Sequence, residues 1–302
     1  MRRRVFVLWS SLLAGLTLAG GCASSRQQPP AVQPPVPAAA TRPAGCFQVE
    51  SLSPEDRLVA ERLLLAIGDS EALYTLADGL KPVSSGMITS VRVAPDVDRT
   101  ALEALEQRRR VAARLTCGEI GVFVQVFAAP STSESGGTTR SFEVVTFHRA
   151  SVAAAVGRHA GYFGALGVTP SADPIQVVMA VEHAPRADRW RGYGYLFGFP
   201  DEAVDFFVRA GVEGDETRKT VPRDFRRIET WTKFGGKDGA PALSNFVYAV
   251  PKGEPESVAD RQLREAAGRV YRVYADRRAR FIKPDQTGAV ALWRAWLLGT
   301  AN

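Results

Sequence analysis

Three histidines occur in the 302 residues, and glutamates stand close to two of them. His148 closes a predicted strand in which Glu143 also lies, His159 falls on the helix expected next, and His183 follows Glu182 at the end of another helix. Neutral imidazoles and carboxylates ligate zinc and other divalent metals. The metal candidates are therefore His148, His159, His183 and Glu182, as two histidines with a carboxylate or as all three histidines. Glu143 with His148, His159 or His183 could instead work as an acid–base pair, if burial brought a pKa near neutrality. Nothing in their spacing reproduces the compact HExxH pattern of metalloproteases. The plainer reading is three histidines that cap helices or make ordinary hydrogen bonds.

Other chemistry is weaker. No GxSxG elbow marks a nucleophilic serine. Cys117 could be imagined as a nucleophile beside His148, but it has a better use. Cys46 and Cys117 are the two cysteines beyond Cys22, and in an oxidising compartment they have one pairing to make. The run Gly192-Tyr193-Gly194-Tyr195-Leu196-Phe197-Gly198 has neither the spacing nor the lysine of a phosphate loop. Its alternation reads as a strand with glycines on one face, open to close approach by a helix or a ligand, and aromatics on the other. Tyr193 and Tyr195 then make a candidate binding face, with Arg189 and Arg191 near enough to attract an anionic group.

The N-terminus addresses the chain. Arg2, Arg3 and Arg4 precede a short apolar run from Val5 to Ala19, and Ala19-Gly20-Gly21-Cys22 closes it. A basic start, a short apolar stretch and small residues describe an export signal; a membrane span needs about 20 apolar residues. The cysteine directly after the small residues resembles the lipobox of bacterial lipoproteins. That resemblance covers the first 22 residues. It implies a thiol diacylated at Cys22, cleavage before it and acylation of the new amino group. Ala23 after the cysteine implies sorting to the outer membrane of a diderm cell, facing the periplasm. From Ala23 to about Pro43 the chain is rich in Pro, Ala, Gln and Ser, which suits an extended tether.

Composition bounds the rest. The formal charge of +6 includes the three arginines of the signal, so the mature chain is only weakly basic. Export, the absence of zinc-finger spacing and the lack of a basic repeat exclude nucleic acid as the expected partner. The folded region is expected to span 46–302 as one domain, with 135 as the place where it would divide. Ser53-Pro54-Glu55-Asp56 is a helix start, Asp69 is expected to cap a second helix, and Thr100 with Glu103 resembles a capping box. Strands are expected at 87–93, 121–127, 142–148, 190–199 and 245–250, and a short helix within 221–234. The longest helix runs from about Glu256 to Phe281. This predicts an α/β or α+β fold: a mixed, largely antiparallel central sheet of about five strands with helical layers.

The leading expectation is a non-catalytic cell-envelope lipoprotein. It would be held at the membrane by its lipid anchor, binding a small molecule, glycan or protein partner through sheet-edge and loop surface. One alternative is a lipid-anchored hydrolase using a divalent metal. Another is a structural assembly component presenting Gly211–Pro222 and the arginine-rich C-terminal helix.

Overall fold

The computed structural model of the chain describes residues 45–132, 137–232 and 246–299, all within one compact unit that begins at Gly45. The signal segment, Cys22 and the tether lie outside the described residues. Among the described residues, no helix is long and apolar enough to cross a membrane.

An antiparallel sheet is built around β5 (Thr138–His148). β3 (Ile120–Val126) runs along one side, pairing Ile120 with His148 and Val126 with Phe142. β4 (Ser131–Thr132) extends that side. Across β5 lie β2 (Ile88–Ala94) and the two-residue β1 (Val83–Ser84). The expected alternation in β5 holds. Val144 enters one core, while Val145 and Phe147 enter the other. A side-chain period of two is what sends neighbours to opposite faces.

The Val144 side is covered by α1 (Pro54–Asp69), α3 (Arg99–Ala112), α9 (Val258–Phe281) and α10 (Ala289–Leu297). α1 begins as its sequence predicts, with Ser53 Oγ accepting the Asp56 N–H at 3.1 Å. It also runs straight through Gly68, where the missing side chain leaves room for Trp293: an added Cβ would lie 2.7 Å from the ring. The Val145 side carries α4 (Arg149–Arg158), α5 (Ala160–Ala165), α6 (Pro174–Glu182) and α7 (Arg186–Leu196). α8 (Asp201–Thr217) follows α7. A second, two-stranded sheet pairs β6 (Arg223–Arg227) with β7 (Val247–Pro251). The short α2 (Leu73–Leu76) joins α1 to β1.

Four local expectations are corrected. The Trp190–Phe199 region is helical, not a strand. Its aromatics meet at helical spacing, Tyr193 stacking on Phe197 with ring centroids 5.3 Å apart and Arg191 Nη1 donating to Tyr195 Oη at 3.2 Å. Gly198, at φ +70°, closes the helix. The glycines do allow close approach, as their sequence suggests, but between helices. A Cβ at Gly192 would stand 2.8 Å from Val181 of α6, and one at Gly194 would stand 2.7 Å from Val204 of α8. Within 221–234 the expected helix is instead the strand β6, because pairing with β7 decides it. Asp98, not Thr100, caps α3, accepting the Ala101 N–H at 3.0 Å. Asp69 caps nothing: its carboxylate takes Tyr274 Oη at 2.6 Å and Arg278 at 2.7 and 2.9 Å.

Cys46 and Cys117 form a disulfide, with Cα atoms 4.2 Å apart. It closes the start of the folded unit onto the turn between α3 and β3.

Candidate functional site

The three histidines occupy three separate settings. His148 caps α4, its Nδ1 accepting the Ser151 N–H at 3.2 Å and lying 3.0 Å from Ser151 Oγ. Partial burial holds its pKa below the ordinary histidine value. His159 separates α4 from α5. It stacks on Tyr195 at 3.7 Å between centroids and lies 3.5 Å from Asp201 Oδ1. Burial lowers its pKa as well, against the pull of Asp201. His183 ends α6 with an exposed side chain. Among the described residues, no group of three or more His, Cys, Asp or Glu side chains is placed to hold a metal ion.

The other candidates are tied into the protein itself. Tyr193 and Tyr195 do not share an open face, because residues two apart on a helix point in nearly opposite directions. Arg191 pairs with Asp205, and Arg189 Nη1 lies 3.3 Å from Glu182 Oε1. Tyr193 Oη donates to Glu182 Oε2 at 2.7 Å. The structure thus unites buried Glu182 with the half-buried Arg189 and Tyr193 in a cluster that joins α6 to α7.

Glu143 belongs to the same interior. It is buried on β5, where Ser85 donates to it from the segment after β1. Burial pushes its carboxyl up to about 8, the nearby Glu71 and Glu182 charges add to the shift, and the Ser85 bond opposes it. Beside it lies a pair that sequence reasoning missed. Lys81 Nζ is 3.0 Å from Glu71 Oε2, and Lys81 has no exposed surface. Burial raises the Glu71 pKa and lowers that of Lys81. Three rings surround the amine: Phe246 at 4.1 Å and Phe197 and Phe199 at 5.0 Å. No motif flags these residues. Lys81 stands between Leu80 and Pro82, two residues after Gly79, a setting that reads equally well as a solvated turn.

Phe199 carries this interior to the surface. It stacks against Phe246 at 5.9 Å and contributes to the lining of a cleft of about 600 Å³. One wall holds Arg158, Asp201 and Glu202; α9 supplies Gln262, Leu263 and Arg269 on the other. It is an open surface groove rather than an enclosed cavity, so a ligand resting there would keep much of its own surface in water. Its polar lining is charge-balanced, with two arginines against two carboxylates, and every one of these polar side chains ends in a flat group with paired nitrogen or oxygen atoms. Such groups match adjacent hydroxyls, and Phe199, packed against Phe246 and Tyr248, adds apolar surface to the lining.

Comparison with protein-family models, with curated proteins and with solved structures finds no match to this chain.

Proposed function

We propose that the chain is a cell-envelope lipoprotein, anchored through acyl groups on Cys22 at the outer membrane and facing the periplasm. Its folded unit binds a small, hydroxyl-rich ligand of the glycan class without transforming it. The observation that carries the reading is the cleft between the start of α8 and α9, where Phe199 and Leu263 lie among Arg158, Asp201, Glu202, Gln262 and Arg269. The balanced charge favours a neutral ligand over a phosphate or a polyacid.

The site is tested by calorimetric titration with neutral trisaccharides, maltotriose and chitotriose. Saturable binding to one of them is expected, with no product formed. Gln262 and Arg269 are exposed on α9, so their loss leaves the core alone. The pair Gln262→Ala with Arg269→Ala is expected to weaken binding about tenfold, the worth of one or two hydrogen bonds. Binding to neither sugar, or binding unchanged in that variant, defeats the glycan assignment. Turnover of the sugar defeats the non-catalytic one.

The anchor is tested separately. Intact-mass measurement of membrane-derived protein is expected to show a chain beginning at Cys22 and carrying acyl groups. A full-length, unmodified chain would remove the envelope reading while leaving the cleft to be judged on its own titration.

A further inference from the structure

Gln125 and Glu143 are direct cross-strand partners on β3 and β5. Their side chains therefore leave the same face of the sheet, and on that face Gln125 meets Tyr193 of α7. Gln125 Nε2 donates to Tyr193 Oη at 2.7 Å, and Tyr193 passes its own hydroxyl hydrogen to Glu182 Oε2, also at 2.7 Å. Glu182 accepts further from the Ala128 N–H at 2.8 Å and from Arg189 at 3.3 Å. This chain sets the sense of the amide. A reversed Gln125 would turn its oxygen toward a phenol whose hydrogen is already given away. Gln125 Oε1 is thus the free acceptor, and it is buried with no donor among the described residues. Native interiors seldom leave such an atom unsatisfied.

The groups facing Glu143 come from several elements. Ser85 and Gly86 bond to it from the β1–β2 connection, and Glu71 approaches from the turn before α2 with Lys81 behind it. Glu182 approaches from α6 and Tyr193 from α7, with Arg189 behind Glu182. On its own strand, Arg140 is turned to the carbonyls of Phe127 and Ala128. No cation pairs directly with Glu143 among these, and two further carboxyl groups lie close by.

We propose that Glu143 is kept as a neutral carboxylic acid whose proton is donated to Gln125 Oε1, completing a clamp Glu143–Gln125–Tyr193–Glu182 between the sheet and the α6–α7 layer that opens when Glu143 ionises. One proton added to Glu143 satisfies the orphan acceptor and removes a charge from between Glu71 and Glu182. On ionisation that proton leaves to solvent, Gln125 Oε1 loses its donor, and three carboxylates face one another. The direction of the linkage follows. The folded carboxyl holds its proton up to about 8, whereas the ordinary value is 4.5. Its contribution to stability is complete below the unfolded value and is lost as pH rises through the folded one.

The test uses the folded protein with ¹³C-labelled glutamate and hydrogen exchange. The Glu143 carboxyl carbon is expected to titrate with a midpoint above about 7. Amides of α7 are expected to lose roughly tenfold in protection between about pH 6 and about pH 9, after correction for intrinsic exchange. In Glu143→Gln the new carboxamide supplies an N–H to Gln125 at every pH, so α7 is expected to stay protected at the alkaline end. A Glu143 midpoint below about 6 overturns the proposal. So does a Glu143→Gln protein that keeps the wild-type pH dependence, or an ordered water found donating to Gln125 Oε1 beside an ionised Glu143. If Glu143→Gln does not fold, the wild-type titration decides alone.

Discussion

Lys81→Met is expected to cost the folded unit about 3–5 kcal/mol, the usual penalty for leaving one member of a buried ion pair behind. Methionine fills much of the lysine stem's space among Phe197, Phe199 and Phe246, so packing changes little. What changes is Glu71, which loses the cation 3.0 Å away while remaining buried. Burial already raises its pKa, and losing Lys81 removes the positive charge that opposes that rise. The variant's loss is therefore largest at neutral and alkaline pH, and it shrinks in acid as Glu71 takes up a proton. Adding Glu71→Gln to Lys81→Met is expected to recover most of the stability, because a neutral amide no longer needs the cation and its oxygen can still accept the Ser85 N–H. Urea unfolding followed by circular dichroism measures all three proteins. A single-variant loss below about 1 kcal/mol, within the range of exposed pairs, would show that the pair is not sealed from water.

Removing the disulfide carries the other large effect. Cys46 and Cys117 are 71 residues apart, and releasing a loop of that length is worth about 4 kcal/mol in the chain-entropy account. Cys46→Ser with Cys117→Ser is expected to lower the midpoint of thermal unfolding by about 10 °C in a unit of this size. The native segment does not depend on the bridge alone. The Phe47 N–H donates to Thr116 O at 2.8 Å, and Arg294 donates to Cys46 O at 3.0 Å. The variant should therefore fold with the same circular dichroism spectrum and differ mainly in its midpoint. Dithiothreitol is expected to shift wild type and leave the variant unmoved. Equal midpoints for the oxidised and reduced wild-type protein would contradict the account.

The two effects differ in how far they could be read in advance. The bridge was legible because two of the three cysteines, Cys46 and Cys117, lie in the expected folded region, and two allow one pairing. The Lys81–Glu71 pair was not, because a lysine between Leu80 and Pro82 is indistinguishable in sequence from one in a solvated turn. The helix α7 shows the same limit in local structure. Glycines and aromatics alternating from Gly192 to Gly198 fit a strand, but the pairs Tyr193/Phe197 and Arg191/Tyr195 fit a helix equally well. Contacts with Val181 and Val204 resolved the choice, and these come from helices before and after α7 in the chain. The histidine candidates failed to converge for a related reason. Each sits at or near a helix end, but those ends face different neighbours.

Strong periodicity and cap chemistry act within a few residues, so the sequence by itself determined the start of α1, the course of β3, the 142–148 part of β5 and the long α9, and it anticipated the antiparallel character of the sheet. The first residues of β5 and the short β4 fall where a turn was expected. The cysteine pairing spans 71 residues and is not local, but it was readable because the expected folded region holds only Cys46 and Cys117. Which polar groups lose water was decided by the tertiary structure alone. Burial of Glu71, Lys81, Glu143 and Gln125, and the meeting of Phe199 with α9 at the cleft, depend on segments far apart in the chain. A pKa, an orphan acceptor or a binding surface is a property of that assembled environment, not of the residue that bears it.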